Sequence, residues 1–179
     1  MHPALKILLW ILGALAGFVE LVAISGFFLP REHHVARSLK LVKTSPDAVW
    51  AAISNHAEDP TWRSDVAATL RLADAHGHAV WQDQFKNGQR MSYETVESIP
   101  NQKLVRLIVD SGGPFGGTWT YSLHPEGAGT RITITEDGWV SNPIFKVVGK
   151  FIIGYHATME NYLKHLSAKF GESGRPEPA

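Results

Sequence analysis

From Asn142 to Phe170, apolar residues recur at spacings of three and four: Phe145, Val148, Phe151, Ile152, Tyr155, Met159, Tyr162, Leu163, Leu166 and Phe170. That spacing paints one apolar stripe along a helix of about seven turns, and such a stripe must be buried against something. The residues upstream limit what that can be. Strand-length segments at 66–72, 79–85, 91–98, 104–110, 118–123 and 131–137 follow one another, each bounded by turn-forming residues. Asn87-Gly88 between two of them is a hairpin signal. A further strand is expected over 35–42, where Val35, Arg37, Leu39 and Leu41 share a side. Ser45-Pro46-Asp47 then supplies an N-cap, a first-position proline and a first-turn acid for a short helix. The stripe therefore has a sheet face to pack on, which gives an α+β fold. A curved antiparallel sheet of about seven strands is not filled by one helix, so an apolar hollow is expected beneath it. Gly171 ends the helix, and 171–179 is expected to be a disordered tail.

A second constraint stands at the N-terminus. Residues 5–29 form an almost unbroken apolar run, about as long as a bilayer-spanning helix needs. Trp10 near one end and Phe27 and Phe28 near the other suit interfacial placement. Pro30 and Arg31-Glu32-His33-His34 return the chain to water. Glu20 inside the run either snorkels to the far interface or faces a partner helix. A cleaved signal peptide is the rival reading, with Lys6 and the Ala23-Ile24-Ser25 site. The apolar run continues past that site, which favours an uncleaved single-pass anchor. Arg31, Arg37, Lys40 and Lys43 outnumber Lys6, so charge counting leans toward a cytoplasmic domain. The expected division is an anchor and linker over 1–34, one domain over 35–170 and the tail.

Composition removes several function classes. Lys plus Arg and Asp plus Glu are 17 each, leaving no basic surplus for nucleic acid. With no cysteine, thiolate catalysis, disulfides and cysteine-ligated zinc are excluded. The nine histidines are scattered without a third ligand nearby, so no metal and no cofactor is expected. No G-x-S-x-G elbow occurs, and the glycines at 112–117 lack the lysine of a phosphate loop.

The candidate ligand-binding residues come from facing parity. Trp119 and Tyr121 share a strand face with Leu123; Met91 and Tyr93 share another; Phe151, Tyr155 and Met159 lie on the helical stripe. Each either walls a cavity or packs an ordinary core. Trp62, beside Pro60, either gates the hollow or staples a loop. Trp81 and Trp139 are read as core. Glu136 continues the inward parity of Ile132 and Ile134, where a carboxylate could serve as general acid or base. Arg106 is a candidate partner for it or an anchor for an acidic ligand.

The Ser45-Pro46-Asp47-Ala48-Val49-Trp50 segment, Pro60-Thr61-Trp62 and the terminal helix together resemble the START-like, or SRPBCC, superfamily, also labelled polyketide cyclase/dehydrase and lipid transport. The resemblance spans roughly residues 35–170. It implies a helix-grip fold whose cavity holds sterols, phospholipids, polyketides or other apolar molecules, some members being catalysts and many only carriers. It also places 56–63 and 111–117, with Phe115, at the cavity mouth. The leading expectation is a membrane-anchored carrier of a hydrophobic small molecule or lipid. A cyclase or dehydratase using a cavity carboxylate, and a module assembling a membrane complex through Glu20, are the alternatives.

Overall fold

Ser45 and Asn142 open helices as their neighbourhoods predict. Ser45 Oγ accepts the Ala48 N–H at 3.4 Å and Asn142 Oδ1 accepts the Phe145 N–H at 3.1 Å, and each is followed by a proline at the first helical position. The computed structural model describes residues 2–109 and 113–179. In chain order it holds α1 (Pro3–Phe27), β1 (Glu32–Leu41), α2 (Pro46–Ser54), a 3₁₀ turn, α3 (Asp59–Trp62), β2 (Val66–Arg71), β3 (Val80–Phe85), β4 (Arg90–Ile99) and β5 (Lys103–Ile108). There follow β6 (Phe115–Glu126), β7 (Gly129–Val140), α4 (Pro143–Val148), a π-helical turn (Gly149–Ile153), α5 (Ala157–Lys169) and β8 (Glu177–Pro178).

The strands form one antiparallel sheet in the order β2-β3-β4-β5-β6-β7-β1-β8. Every expected strand is present; Asp110, at the end of the fourth upstream segment, lies outside the described residues. β1 begins earlier than residue 35, so His33 and His34 are strand residues paired opposite Gly138 and Asp137. The inner face of the sheet meets α2 and α5 in a core that includes Leu39, Leu41, Ile53, Tyr121, Ile134, Met159 and Leu163, all essentially inaccessible. The sheet therefore grips a helix, as the helix-grip expectation required.

Two expectations need correction. The seven-turn helix is interrupted: α4 passes into the π-helical turn, Gly154 takes φ +81, and α5 starts afresh at Ala157. A side chain at Gly154 would be strained at that angle, and a Cβ at Gly149 would lie 2.6 Å from the Tyr155 ring. The two glycines thus permit a turn that an unbroken helix would not need. The tail is also ordered. Glu172 accepts from the Val42 N–H at 2.6 Å, the Lys43 N–H at 3.2 Å and the Thr44 hydroxyl at 2.6 Å, and β8 pairs with β1. The physical reason is the sheet edge, since β1 would otherwise present unpaired backbone groups.

α1 is long and apolar enough to cross a membrane, and its most apolar window is nowhere buried in the protein. Length and composition suit a membrane span or a signal sequence alike. Its last turn packs on α4, and Glu20 is exposed on it.

Candidate functional site

α5 fills one part of the hollow. The other part, between the sheet and the α4–π-turn segment, encloses a cavity of about 730 Å³. Alternation along the strands supplies its floor, because residues two apart face the same way. Met91 and Tyr93 come from β4, Arg106 and Ile108 from β5, Trp119 and Tyr121 from β6, Glu136 from β7 and His33 from β1. Phe145, Val148, Ile153, Tyr155 and Tyr162 form the roof, and Phe115 stands at the rim, partly exposed.

Seven of the ten residues singled out in the sequence therefore line this space: Met91, Tyr93, Phe115, Trp119, Tyr121, Glu136 and Tyr155. Three do not. Met159 is wholly buried in the core on the other part of the sheet. Phe151 is 67% exposed because the π-helical turn rotates it away from the stripe's facing direction. Trp62 packs edge-on against Tyr162 at 5.3 Å, which makes it a staple. Trp139, read as core, instead lines the cavity and lies against Gly116, where a Cβ would meet its ring at 2.7 Å. That contact, with Gly117 at φ +137, explains part of the glycine run; Gly116 and Gly117 are strand residues of β6. Ser111 and Gly112 of the expected mouth lie outside the described residues.

Polar groups sit at two places in the wall. At the first, Glu136 Oε1 lies 2.8 Å from His33 Nε2, and Trp119 Nε1–H donates to Glu136 Oε2 at 2.7 Å. The His33 ring stacks on Tyr155, 3.9 Å between centroids and 8° from parallel. His33 Nδ1 is buried without a hydrogen-bond partner among the described residues. His33 belongs to β1 and not to the linker, and its parity with Val35, Arg37 and Leu39, one pleat upstream, is the signal in the sequence that places it here. Arg106, considered as the partner of Glu136, serves elsewhere.

At the second place, Arg63 and Arg106 approach the cavity from deep in the fold. Arg63 Nη1 donates to Asp83 Oδ2 at 2.6 Å and to Asp59 Oδ2 at 3.3 Å. Arg106 Nη2 donates to the Ile53 carbonyl at 2.6 Å and to His56 Nδ1 at 2.5 Å. His56 must be neutral to accept, and burial, reinforced by the charges of Arg106 and Arg63, pushes it down to about 2. Burial pushes the Asp59 carboxyl up to about 6, against the pull of Arg106 and Arg63. Burial likewise raises the hydroxyls of Tyr93, Tyr121 and Tyr162, which stay protonated and available as donors at neutral pH. Arg63 Nε, Arg106 Nε and the Tyr162 hydroxyl have no hydrogen-bond partner among the described residues. The site can thus hold an apolar body and offer donors to one polar end, while the Glu136–His33 pair can accept or release a proton.

Comparison with known proteins places this geometry. A family model described as polyketide cyclase / dehydrase and lipid transport matches residues 33–171. No curated protein matches the chain by sequence. Among solved structures, norcoclaurine synthase from Thalictrum flavum superposes with a TM-score of 0.61 at 13% identity, covering 84% of this chain and 92% of that one. The Zhui aromatase/cyclase from a Streptomyces species gives 0.60 at 11% identity, covering 77% and 93%. The di-domain aromatase/cyclase StfQ from the steffimycin biosynthetic pathway gives 0.58 at 12% identity, covering 75% of this chain and 50% of that one. This chain thus spans about half of that two-domain protein, and at such identities the likeness is one of fold.

Proposed function

The chain belongs to the polyketide cyclase/dehydrase and lipid transport family, and from that premise we propose that it binds and carries a hydrophobic small molecule or lipid in the cavity, held at a membrane by α1. The cavity carries this reading. At about 730 Å³ it lies within the range of roughly 300–1,000 Å³ that encloses small-molecule ligands. A ligand burying about 300 Å² of apolar surface there gains on the order of 7 kcal/mol before the costs of association, against about 1 kcal/mol net per hydrogen bond. Shape and apolar area therefore set affinity, and Arg106, Tyr93 and Tyr162 set orientation. Residues 1–34 are the tether and 35–170 the binding domain.

The test uses the full chain in lipid nanodiscs and N-phenyl-1-naphthylamine, an apolar fluorescent probe, with empty nanodiscs subtracted. Saturable binding is expected, weakened about tenfold or more by Ile108→Trp, which fills the cavity from β5, with thermal stability retained. Binding that ignores Ile108→Trp sinks the proposal.

The Glu136–His33 pair favours a second reading, a cyclase- or dehydratase-type enzyme that moves protons on a bound carbonyl compound. Deuterium exchange at the central methylene of an aryl 1,3-diketone, followed by NMR, should be faster with the protein than in buffer. It should return to the buffer rate with Glu136→Gln; no acceleration by the native chain removes this reading.

A further inference from the structure

The π-helical turn carries Phe151, Ile152 and Ile153, which are 67%, 74% and 62% exposed. Three consecutive large apolar side chains facing water are costly unless something covers them. Their position in the fold indicates what does. The turn continues α4, and α4 is fixed against the end of α1. Gly26, in the last turn of α1, lies so close to α4 that a Cβ there would fall 2.1 Å from the Pro143 carbonyl oxygen. Lys146 Nζ donates to the Leu29 carbonyl at 3.1 Å, tying α4 to the residues that leave α1. Beside this junction Phe27 and Phe28 are 73% and 85% exposed.

Phe151 lies eight steps along the helical backbone from Pro143, a rise of about 12 Å. If α1 spans a bilayer, its last turn lies at the interface, and the apolar turn lies within reach of the same depth. Elements that rest in the interface bury an apolar face about 5–10 Å into the headgroup and acyl boundary. Lys150, whose Nζ lies 5.6 Å from the Phe151 ring centroid, adds a cation where phosphate headgroups would be. The other side of the same segment is the cavity roof, through Val148, Gly149 and Tyr155, with Ile153 at the edge between the two.

We propose that Phe151, Ile152 and Ile153 insert into the bilayer leaflet that receives the C-terminal end of α1, so that the cavity opens onto lipid and its ligand enters without crossing water. The proposal rests on the reading of α1 as an anchor. Gly154, at φ +81, ends the inserted turn, and Gly149 leaves room for the Tyr155 ring against it.

Because the chain has no cysteine, single substitutions report alone. Ile152→Cys, Leu15→Cys and His124→Cys in the full chain would each be labelled with the fluorophore NBD and reconstituted in phosphatidylcholine–phosphatidylglycerol vesicles. Quenching by doxyl lipids is compared with quenching by aqueous iodide. Leu15 reports the anchor, and exposed His124, near the far end of β6, reports water. Doxyl lipid is expected to quench the labels at Leu15 and Ile152, and iodide the label at His124. A lipid-quenched Leu15 label with an iodide-quenched Ile152 label overturns the inserted turn and leaves the anchor standing. An Ile152 label shielded from both quenchers means that a second protein surface covers the turn, which also overturns it. A Leu15 label that lipid does not quench overturns the anchor and the insertion together.

Discussion

Acidification from pH 6.5 to 4.5 should act on the buried arginine cluster through two opposed linkages. His56 ordinarily titrates at 6.5 but at about 2 in the fold, so over this range the unfolded chain binds a proton that the folded chain refuses. At 1.36 kcal/mol per fully bound proton and pH unit, with the unfolded histidine already half protonated at pH 6.5, the two units remove about 2 kcal/mol of stability. Asp59 works the other way. It titrates at about 6 in the fold and at 3.8 ordinarily, so the folded chain takes its proton first. Between about pH 6 and 4.5 this returns roughly 2 kcal/mol. In the native protein the two nearly cancel. Asp59→Asn removes the opposing gain and should unmask the full His56 loss of about 2 kcal/mol. His56→Gln keeps an acceptor for Arg106 and abolishes the loss, so acidification should stabilise that variant by about 2 kcal/mol. Urea unfolding of the full chain in detergent micelles, followed by tryptophan fluorescence at both pH values, measures these differences. If both variants keep the native pH dependence, the neutral-histidine account of the cluster is wrong. The carboxylates of Glu126, Glu160 and Glu172, held below their usual range, add their losses at lower pH.

Met159→Ala should cost about 2–5 kcal/mol in the same unfolding assay, because the side chain is inaccessible and its removal leaves a cavity among Leu163, Tyr162 and the sheet. Glu172→Ala removes the acceptor of three hydrogen bonds and should cost about 1–3 kcal/mol. It should also expose the Val42 and Lys43 amides to hydrogen exchange; amides that remain protected would show that the tail docks without this carboxylate.

The features legible in the sequence were those set by near neighbours. Alternation in each strand, Asn87-Gly88 at a hairpin and the caps at Ser45 and Asn142 act over a few residues, and each formed as expected. Strand parity also carried Met91, Tyr93, Trp119, Tyr121 and Glu136 to one wall, since the pleat allows only two directions. The apolar run at the N-terminus was legible for the same reason.

Only the tertiary structure decided the rest. The three-and-four spacing from Phe145 to Phe170 reads as one helix. Whether it stays one depends on the roof it must form, and packing of Tyr155 over Gly149 with the φ of Gly154 broke it and turned Phe151 outward. The tail looked disordered because nothing nearby held it; its partners are Thr44 and β1, more than a hundred residues upstream. His33 joined Glu136 through the register of β1 on β7, and neutral His56 met Arg106 across fifty residues. Periodicity fixes which way a residue faces; long-range register and packing fix what it meets there.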